Sequence, residues 1–93
     1  MHVYSAIIKL HLPCTSLKGK RGIVKSILAR ARNSFNVAAA EVDLQDTPGT
    51  AMLAFVTVSG NKTLARSLLE RIEEWVAEER PDIEIVAFEI EER

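Results

Sequence analysis

The chain has 93 residues and a formal net charge of −1, and 47% of its residues are hydrophobic. This length is typical of one domain with a modest core, and this hydrophobic content argues against a disordered chain. The longest apolar runs are too short to span a bilayer, and the N-terminus lacks the basic segment that opens a secretory signal. We therefore expect a single cytoplasmic domain over residues 1–93, with no membrane partner.

The charge is divided unevenly along the chain. Residues 1–40 contain seven Lys or Arg and no Asp or Glu, whereas residues 41–93 contain five basic and thirteen acidic residues, a net of −8. Such a division is typical either of an interaction surface or of internal complementarity, in which a basic helix lies beside an acidic one. The totals alone do not decide between the two.

Metal binding and covalent catalysis have little support in the sequence. Cys14 is the only cysteine, so no internal disulfide can form, and together with His2 and His11 it makes a poor zinc site. The chain has neither a nucleophile elbow nor a phosphate-binding loop. We therefore expect no metal, no cofactor and no catalytic residue.

One group of carboxylates stands apart from the acidic second half of the chain. Glu41, Asp43 and Asp46 lie close together in sequence, and Glu41 and Asp43 share one face of a predicted strand. Such a pair can bind a cation or act as an acid and a base. A solvated strand edge, or a salt bridge to the basic helix, explains the same residues. An enzyme that uses these carboxylates is the least favoured alternative.

Hydrophobic periodicity predicts six elements. Alternation predicts a strand over 3–12, and helical spacing of apolar residues predicts a helix over 16–36. A weaker strand over 37–43 and a strongly apolar one over 51–59 follow, and a second helix then runs from Asn61 to Pro81, before a last strand over 83–90. This β-α-β-β-α-β order is the α+β pattern of the ferredoxin-like fold, a four-stranded antiparallel sheet with two helices on one face.

Local signals predict how these elements begin and end. Ser16 and Asn61 are good N-caps for the two helices, and Asn33 suits the left-handed position after the last turn of the first one. Phe35 is expected to fold back onto that helix end. In the last strand the alternation of apolar and polar residues shifts by one position at Val86, which indicates a bulge.

The first helix carries most of the positive charge. At about 100° per residue, Lys18, Arg21, Lys25 and Arg32 fall on one stripe beside the apolar stripe. One interpretation is a solvated face, with its later cations favoured by the helix dipole. The other is a phosphate-binding surface. In that second interpretation, the residues that contact phosphates are Lys18, Lys20, Arg21, Lys25, Arg30 and Arg32.

The face of the sheet opposite the helices is predicted to be open. Ile7, Leu53 and Phe55 are the apolar residues expected on it. RNA-recognition domains of this topology stack bases on aromatic side chains of the two central strands, and Phe55 alone is a poor substitute for such a platform. A small domain rarely leaves an apolar patch uncovered, so burial in a homodimer or against a partner protein is the alternative use of this face.

Four blocks of residues have a recognisable sequence and spacing. They are SLKGKR at 16–21, RNSFNV at 32–37, AEV at 40–42, and Asp46. Over nearly the whole chain they resemble the YlxP-like family, a bacterial domain of unknown function. The resemblance implies a ferredoxin-like fold and, because genes of the family often lie beside translation and ribosome-maturation factors, an RNA-related role. The chain departs from the family at Gly19, where most members have a polar residue, often Asp.

These observations lead to one functional hypothesis and one alternative. The family has no established catalytic residues, so none is transferred to this chain. We predict a non-enzymatic binding protein whose basic first helix contacts the ribosome or other structured RNA. The alternative is a homo-oligomeric adaptor that uses the open sheet face to bind a second copy or another protein.

Overall fold

The computed structural model describes all 93 residues. Six elements follow in the predicted order, with bounds that differ from the predicted ones by at most two residues. They are β1 (His2–His11), α1 (Leu17–Ser34), β2 (Ala38–Asp43), β3 (Thr50–Ser59), α2 (Lys62–Glu79) and β4 (Glu84–Glu92).

The strands form one sheet in the order β2-β3-β1-β4, and every neighbouring pair is antiparallel. The central strands are therefore β1 and β3, and β2 and β4 are the edges. Both helices lie against the same sheet, with α2 over β1 and β3 and α1 beside β2. The predicted ferredoxin-like fold is confirmed.

The hydrophobic core lies between the helices and one face of the sheet. Alternate residues of β1 point into it, because successive side chains of a strand point to opposite faces. Tyr4, Ala6, Ile8 and Leu10 are accordingly buried. They belong to a single cluster of 17 buried residues to which both helices contribute.

Leu53 and Phe55 belong to this core, so their predicted place on the open face is wrong. Neither has any exposed surface. In the β1–β3 register Phe55 pairs with Ala6 and Leu53 with Ile8, and directly paired residues share a face. Ile7 does lie on the other face of the sheet and is half-buried there. β3 is apolar at almost every position, so its own alternation could not identify the inward side.

The open face carries the intervening residues of β3 instead. Val56 and Val58 are 38% and 51% exposed, and Val42 of the edge strand β2 is 46% exposed. Three of the larger exposed apolar side chains therefore lie along the β2–β3 part of the sheet.

Both predicted N-caps are confirmed. The Ser16 hydroxyl accepts from the backbone N–H of Gly19 at 3.1 Å, and the Asn61 side chain accepts from that of Leu64 at 3.1 Å. The predicted left-handed ending at Asn33 is wrong, because α1 continues through Ser34. The register between β1 and β4 shifts by one residue at Val86, which confirms the predicted bulge.

Neither helix combines the length and the apolar character that crossing a membrane requires.

Candidate functional site

A groove runs along the side of α1 that faces β2. Its volume is about 400 Å³. The helix contributes residues three, four or seven positions apart, a spacing that places side chains on one face. The lining residues are Arg21, Val24, Lys25, Leu28, Ala29, Arg32 and Glu41. The groove thus combines an apolar floor with three cations and one carboxylate.

Lys20 does not belong to this surface, although it lies next to Arg21 in sequence. Its side chain has no exposed area. Its ammonium donates to the backbone carbonyls of Leu44 and Thr47, the latter at 2.9 Å, and lies 2.9 Å from Oε2 of Glu41. The prediction that Lys20 contacts phosphate is therefore wrong, because its charge is neutralised inside the protein.

The link between β2 and β3 is shaped to receive this ammonium group. Leu44 has a φ of 62°, the one positive φ among the non-glycine residues. The N–H of Thr47 donates to the Leu44 carbonyl at 3.0 Å, which closes a turn. Lys20 joins this turn to α1 by bonding to two of its carbonyls.

Sequence spacing contained a signal for the burial of Lys20. It lies three residues after Leu17 and four before Val24, so it falls within the apolar stripe of α1 rather than beside it. A lysine in an apolar stripe requires a buried partner, because an unpaired charge is expensive to bury. Glu41, the first carboxylate of the chain, was the available partner.

Glu41 pairs with Lys20, as the salt-bridge interpretation of this carboxylate expected. Its side chain is 18% exposed, and its Oε2 atom is buried. That oxygen has no partner in hydrogen-bond geometry, so the contact with Lys20 is mainly a charge interaction.

Asp43 has a different partner, since its Oδ1 accepts from the backbone N–H of Leu44 at 2.8 Å. A register shift separates Glu41 from Asp43, and no cluster of three potential metal ligands forms.

Arg30 lies on the opposite side of α1 from the groove. At about 100° per residue it is half a turn away from Arg21. Its guanidinium forms an ion pair with Glu79 near the end of α2. Arg30 therefore links the two helices, and the basic and acidic helices neutralise each other only at this pair.

Arg32 lies at the end of the groove and also contacts the sheet. Its Nη2 donates to the Ala39 carbonyl of the edge strand β2 at 2.6 Å. An edge strand presents unpaired carbonyls that invite pairing with another chain. Arg32 occupies one of them and keeps its remaining N–H groups for other partners.

Four of the six predicted phosphate contacts remain exposed on one side of α1, and we call them the basic stripe. They are Lys18, Arg21, Lys25 and Arg32. The ion pairs that α1 forms with carboxylates involve only Lys20 and Arg30, so the whole basic stripe lacks a carboxylate partner.

The open sheet face was predicted from the wrong residues of β3. Beside β2 it carries a wholly apolar depression, lined by Ala38, Ala39, Ala40, Val42, Ala54 and Val56. Ile7 pairs with Ala54 and continues this surface toward the middle of the sheet. The small residues of β2, which weakened its strand signal, were the indication of this surface that the sequence offered.

Comparisons with known proteins give a family and a fold. The family model described as a protein of unknown function, DUF503, matches residues 3–90. An uncharacterized protein, YlxP, of Bacillus subtilis (strain 168) is 37% identical over 57 residues, which are 61% of this chain and 62% of that protein. The chain thus aligns with less than two thirds of the length of that relative.

Two solved structures share the fold. A de novo designed protein with a ferredoxin fold, solved by solution NMR, has a TM-score of 0.60 at 17% identity and covers 100% of this chain and 84% of its own. A putative antibiotic biosynthesis monooxygenase from Chloroflexus aurantiacus J-10-fl has a TM-score of 0.52 at 22% identity. The match covers 98% of this chain and 90% of that protein. At these identities the likeness is one of fold.

Proposed function

The chain belongs to the DUF503 family of proteins of unknown function, and on that premise we propose a function from its own surface. It binds structured RNA, of the ribosome or of another assembly, through the basic stripe of α1. It acts as a binding protein and catalyses no reaction.

The observation that carries this proposal is the lack of carboxylate partners along the basic stripe. Residues 1–40 contain no acidic side chain, and α1 uses only Lys20 and Arg30 in ion pairs. From Lys18 to Arg32 the stripe extends about 21 Å at 1.5 Å per residue. A row of cations of this length is suited to a phosphate backbone rather than to a single small anion.

The sheet supports phosphate contact as the main mode of binding. Phe55, the aromatic residue of β3, lies in the core and has no exposed surface on which a base could stack. Without aromatic stacking, affinity depends mainly on contacts to phosphates, which position a protein without reading sequence. We therefore expect binding that depends strongly on salt and weakly on RNA sequence.

The test is the salt dependence of binding to a fluorescently labelled RNA hairpin, measured by anisotropy. Four phosphate contacts predict a slope of about −3 on single-stranded RNA, and of about −3 to −4 on a hairpin with a duplex stem, in a plot of log K against log salt concentration. The double variant Arg21→Glu, Lys25→Glu should weaken binding at least tenfold at low salt. The control variant Lys62→Glu, Arg66→Glu makes the same charge change on α2 and should bind like the wild type. Equal binding by both variants would contradict the proposal.

The apolar depression favours a second candidate function, self-association through the open sheet face. Val42 and Val56 expose 46% and 38% of their surface there, and small monomeric domains rarely leave such a patch uncovered. Four strands of six to ten residues present a face of roughly 550 Å². Two copies face to face would bury roughly 1,100 Å², just above the roughly 1,000 Å² that a specific interface requires. Because Arg32 occupies an edge carbonyl of β2, edge-to-edge pairing along that strand is disfavoured.

Light scattering at high protein concentration tests this second function. The wild type should have the mass of a dimer, and Val56→Lys should have that of a monomer. Leu64→Lys is the matched control, because Leu64 is 64% exposed on α2 and lies away from the open face. A wild type that is monomeric at about 1 mM rules out self-association.

A further inference from the structure

We infer that the groove between α1 and β2 holds the base of a guanine nucleotide, either free or unpaired within an RNA loop. This inference rests on the proposed RNA-binding function and specifies it further. In this inference the groove recognises a base, whereas the basic stripe alone binds any phosphate backbone.

The groove has the size of a nucleotide site, and its lining combines apolar side chains with cations. Its volume of about 400 Å³ lies within the range of small-ligand sites. Val24, Leu28 and Ala29 form an apolar floor on which the flat face of a base can lie. Arg21 and Lys25 stand on the rim, where they can reach the attached phosphate. An arginine guanidinium can also stack on a base, as it does in many RNA complexes.

Glu41 supplies the group that distinguishes one base from another. Its Oε2 is turned to Lys20 and buried, whereas none of the side-chain hydrogen bonds within the protein ends on Oε1. Oε1 therefore keeps its lone pairs for a ligand in the groove that Glu41 lines. A carboxylate oxygen in such a place accepts hydrogen bonds and repels carbonyl groups.

Guanine fits this acceptor better than the other bases do. Its N1–H and its exocyclic N2 amino group lie side by side, so both can donate to one carboxylate. Adenine and cytosine offer only an amino group on the equivalent edge. Uracil places a carbonyl on each side of its single N–H. The carboxylate should therefore select guanine.

Lys20 fixes the position of Glu41 before any ligand arrives. The ion pair and the two carbonyl bonds of Lys20 hold the carboxylate at the groove wall. A preorganised acceptor loses less side-chain entropy on binding. It also means that a substitution of Glu41 would disturb the fold, so the test leaves Glu41 in place and changes the ligand or the floor.

The first measurement is an NMR titration of the whole chain with nucleoside monophosphates. We expect guanosine monophosphate to bind about tenfold more tightly than adenosine or uridine monophosphate. Inosine monophosphate, which lacks only the N2 amino group, should fall between guanosine and adenosine monophosphate. The amide signals of Ala29 and Glu41 should shift during the titration. Equal affinity for all four nucleotides overturns the inference.

A groove-filling variant separates this site from the basic stripe. Ala29 is exposed at the groove, and Ala29→Phe fills it while every charge remains. The variant should lose the preference for guanosine monophosphate and keep salt-dependent binding of the hairpin. Ala77→Phe, at an exposed alanine of α2, should change neither property. If Ala29→Phe keeps the preference, the base does not lie in the groove.

Two hairpins that differ in one unpaired loop base, guanine or adenine, distinguish RNA from a free nucleotide as the source. Tighter binding of the guanine hairpin supports a base held within RNA, and a preference limited to the monophosphates supports a free nucleotide. If neither preference appears while the salt slope on the hairpins remains at about −3 to −4, the guanine inference fails and the RNA-binding proposal stands. If Arg21→Glu, Lys25→Glu leaves hairpin binding unchanged, the RNA-binding proposal itself fails.

Discussion

The ammonium of Lys20 lies 2.9 Å from Oε2 of Glu41, and the lysine side chain has no exposed surface. This pair joins α1 to β2, and the backbone bonds of Lys20 extend the connection to the turn before β3. Lys20 and Glu41 balance each other's charge, so neither of them neutralises the basic stripe of α1. Lys20 thus holds α1 against β2 on the buried side of the helix, whereas Arg21, the next residue in sequence, is exposed.

Replacing Lys20 with Met should destabilise the protein by about 3–5 kcal/mol, because it leaves a largely buried carboxylate without its counter-charge and two carbonyls without their donor. The loss should appear in urea unfolding followed by circular dichroism. Lys25→Met is the control on the exposed face of the same helix, and it should change the free energy of unfolding by less than about 0.5 kcal/mol.

The double variant Lys20→Met, Glu41→Leu distinguishes the two roles of the lysine. An apolar replacement often compensates for the loss of a buried ion pair. Here the carbonyls of Leu44 and Thr47 would still lack a donor, so we expect only part of the stability to return. Full recovery would show that the carbonyl bonds contribute little.

The burial of Lys20 was not predicted from the sequence, which placed this residue among the phosphate contacts. Periodicity and capping residues were sufficient for the order of the elements, because these are local properties of the chain. The partners of a charge depend on packing, and the pairing of Lys20 with Glu41 joins residues that are 21 positions apart in sequence. The basic stripe could therefore be predicted from helical spacing, whereas the exclusion of Lys20 and Arg30 from the predicted phosphate contacts required the structure.

The faces of β3 were beyond local prediction for a different reason. Because both faces are apolar, only the pairing of Phe55 with Ala6 identifies the inward side.

Phe55→Ala should cost about 3–5 kcal/mol in free energy of unfolding, since it leaves a cavity in the core. Val58→Ala removes a half-exposed side chain from the other face and should cost less than about 1 kcal/mol. Similar losses for the two variants would contradict the assigned faces.

The start of α1 depends on the hydroxyl of Ser16, which accepts from the N–H of Gly19 at 3.1 Å. Ser16→Ala should lower the free energy of unfolding by about 1 kcal/mol, because that N–H loses its partner. In a domain of this size the melting temperature should fall by about 4–8 °C in a calorimetric scan. Ser26→Ala, within the same helix and exposed, should leave the melting temperature unchanged or raise it slightly. An equal fall in both variants would exclude the capping explanation.

The turn after α2 is closed by a paired contact between Arg80 and Asp82. The Nε and Nη2 atoms of the arginine donate to the two carboxylate oxygens at 3.0 and 2.8 Å. These hydrogen bonds lower the pKa of Asp82 below its ordinary value and raise the pKa of Arg80. A carboxyl group whose pKa is lower in the folded state stabilises the protein above its unfolded pKa.

Asp82→Asn should therefore be less stable than the wild type at pH 7. The difference should shrink as the pH falls below about 4 and vanish below the folded pKa of Asp82, where the wild-type carboxyl is also neutral. Thermal unfolding at several pH values measures this difference, and an NMR titration of the carboxyl carbon measures the pKa directly. Asp46→Asn, at an exposed aspartate that forms no ion pair, is the control. A difference that persists undiminished to the lowest pH would mean that Asp82 acts through its shape rather than its charge.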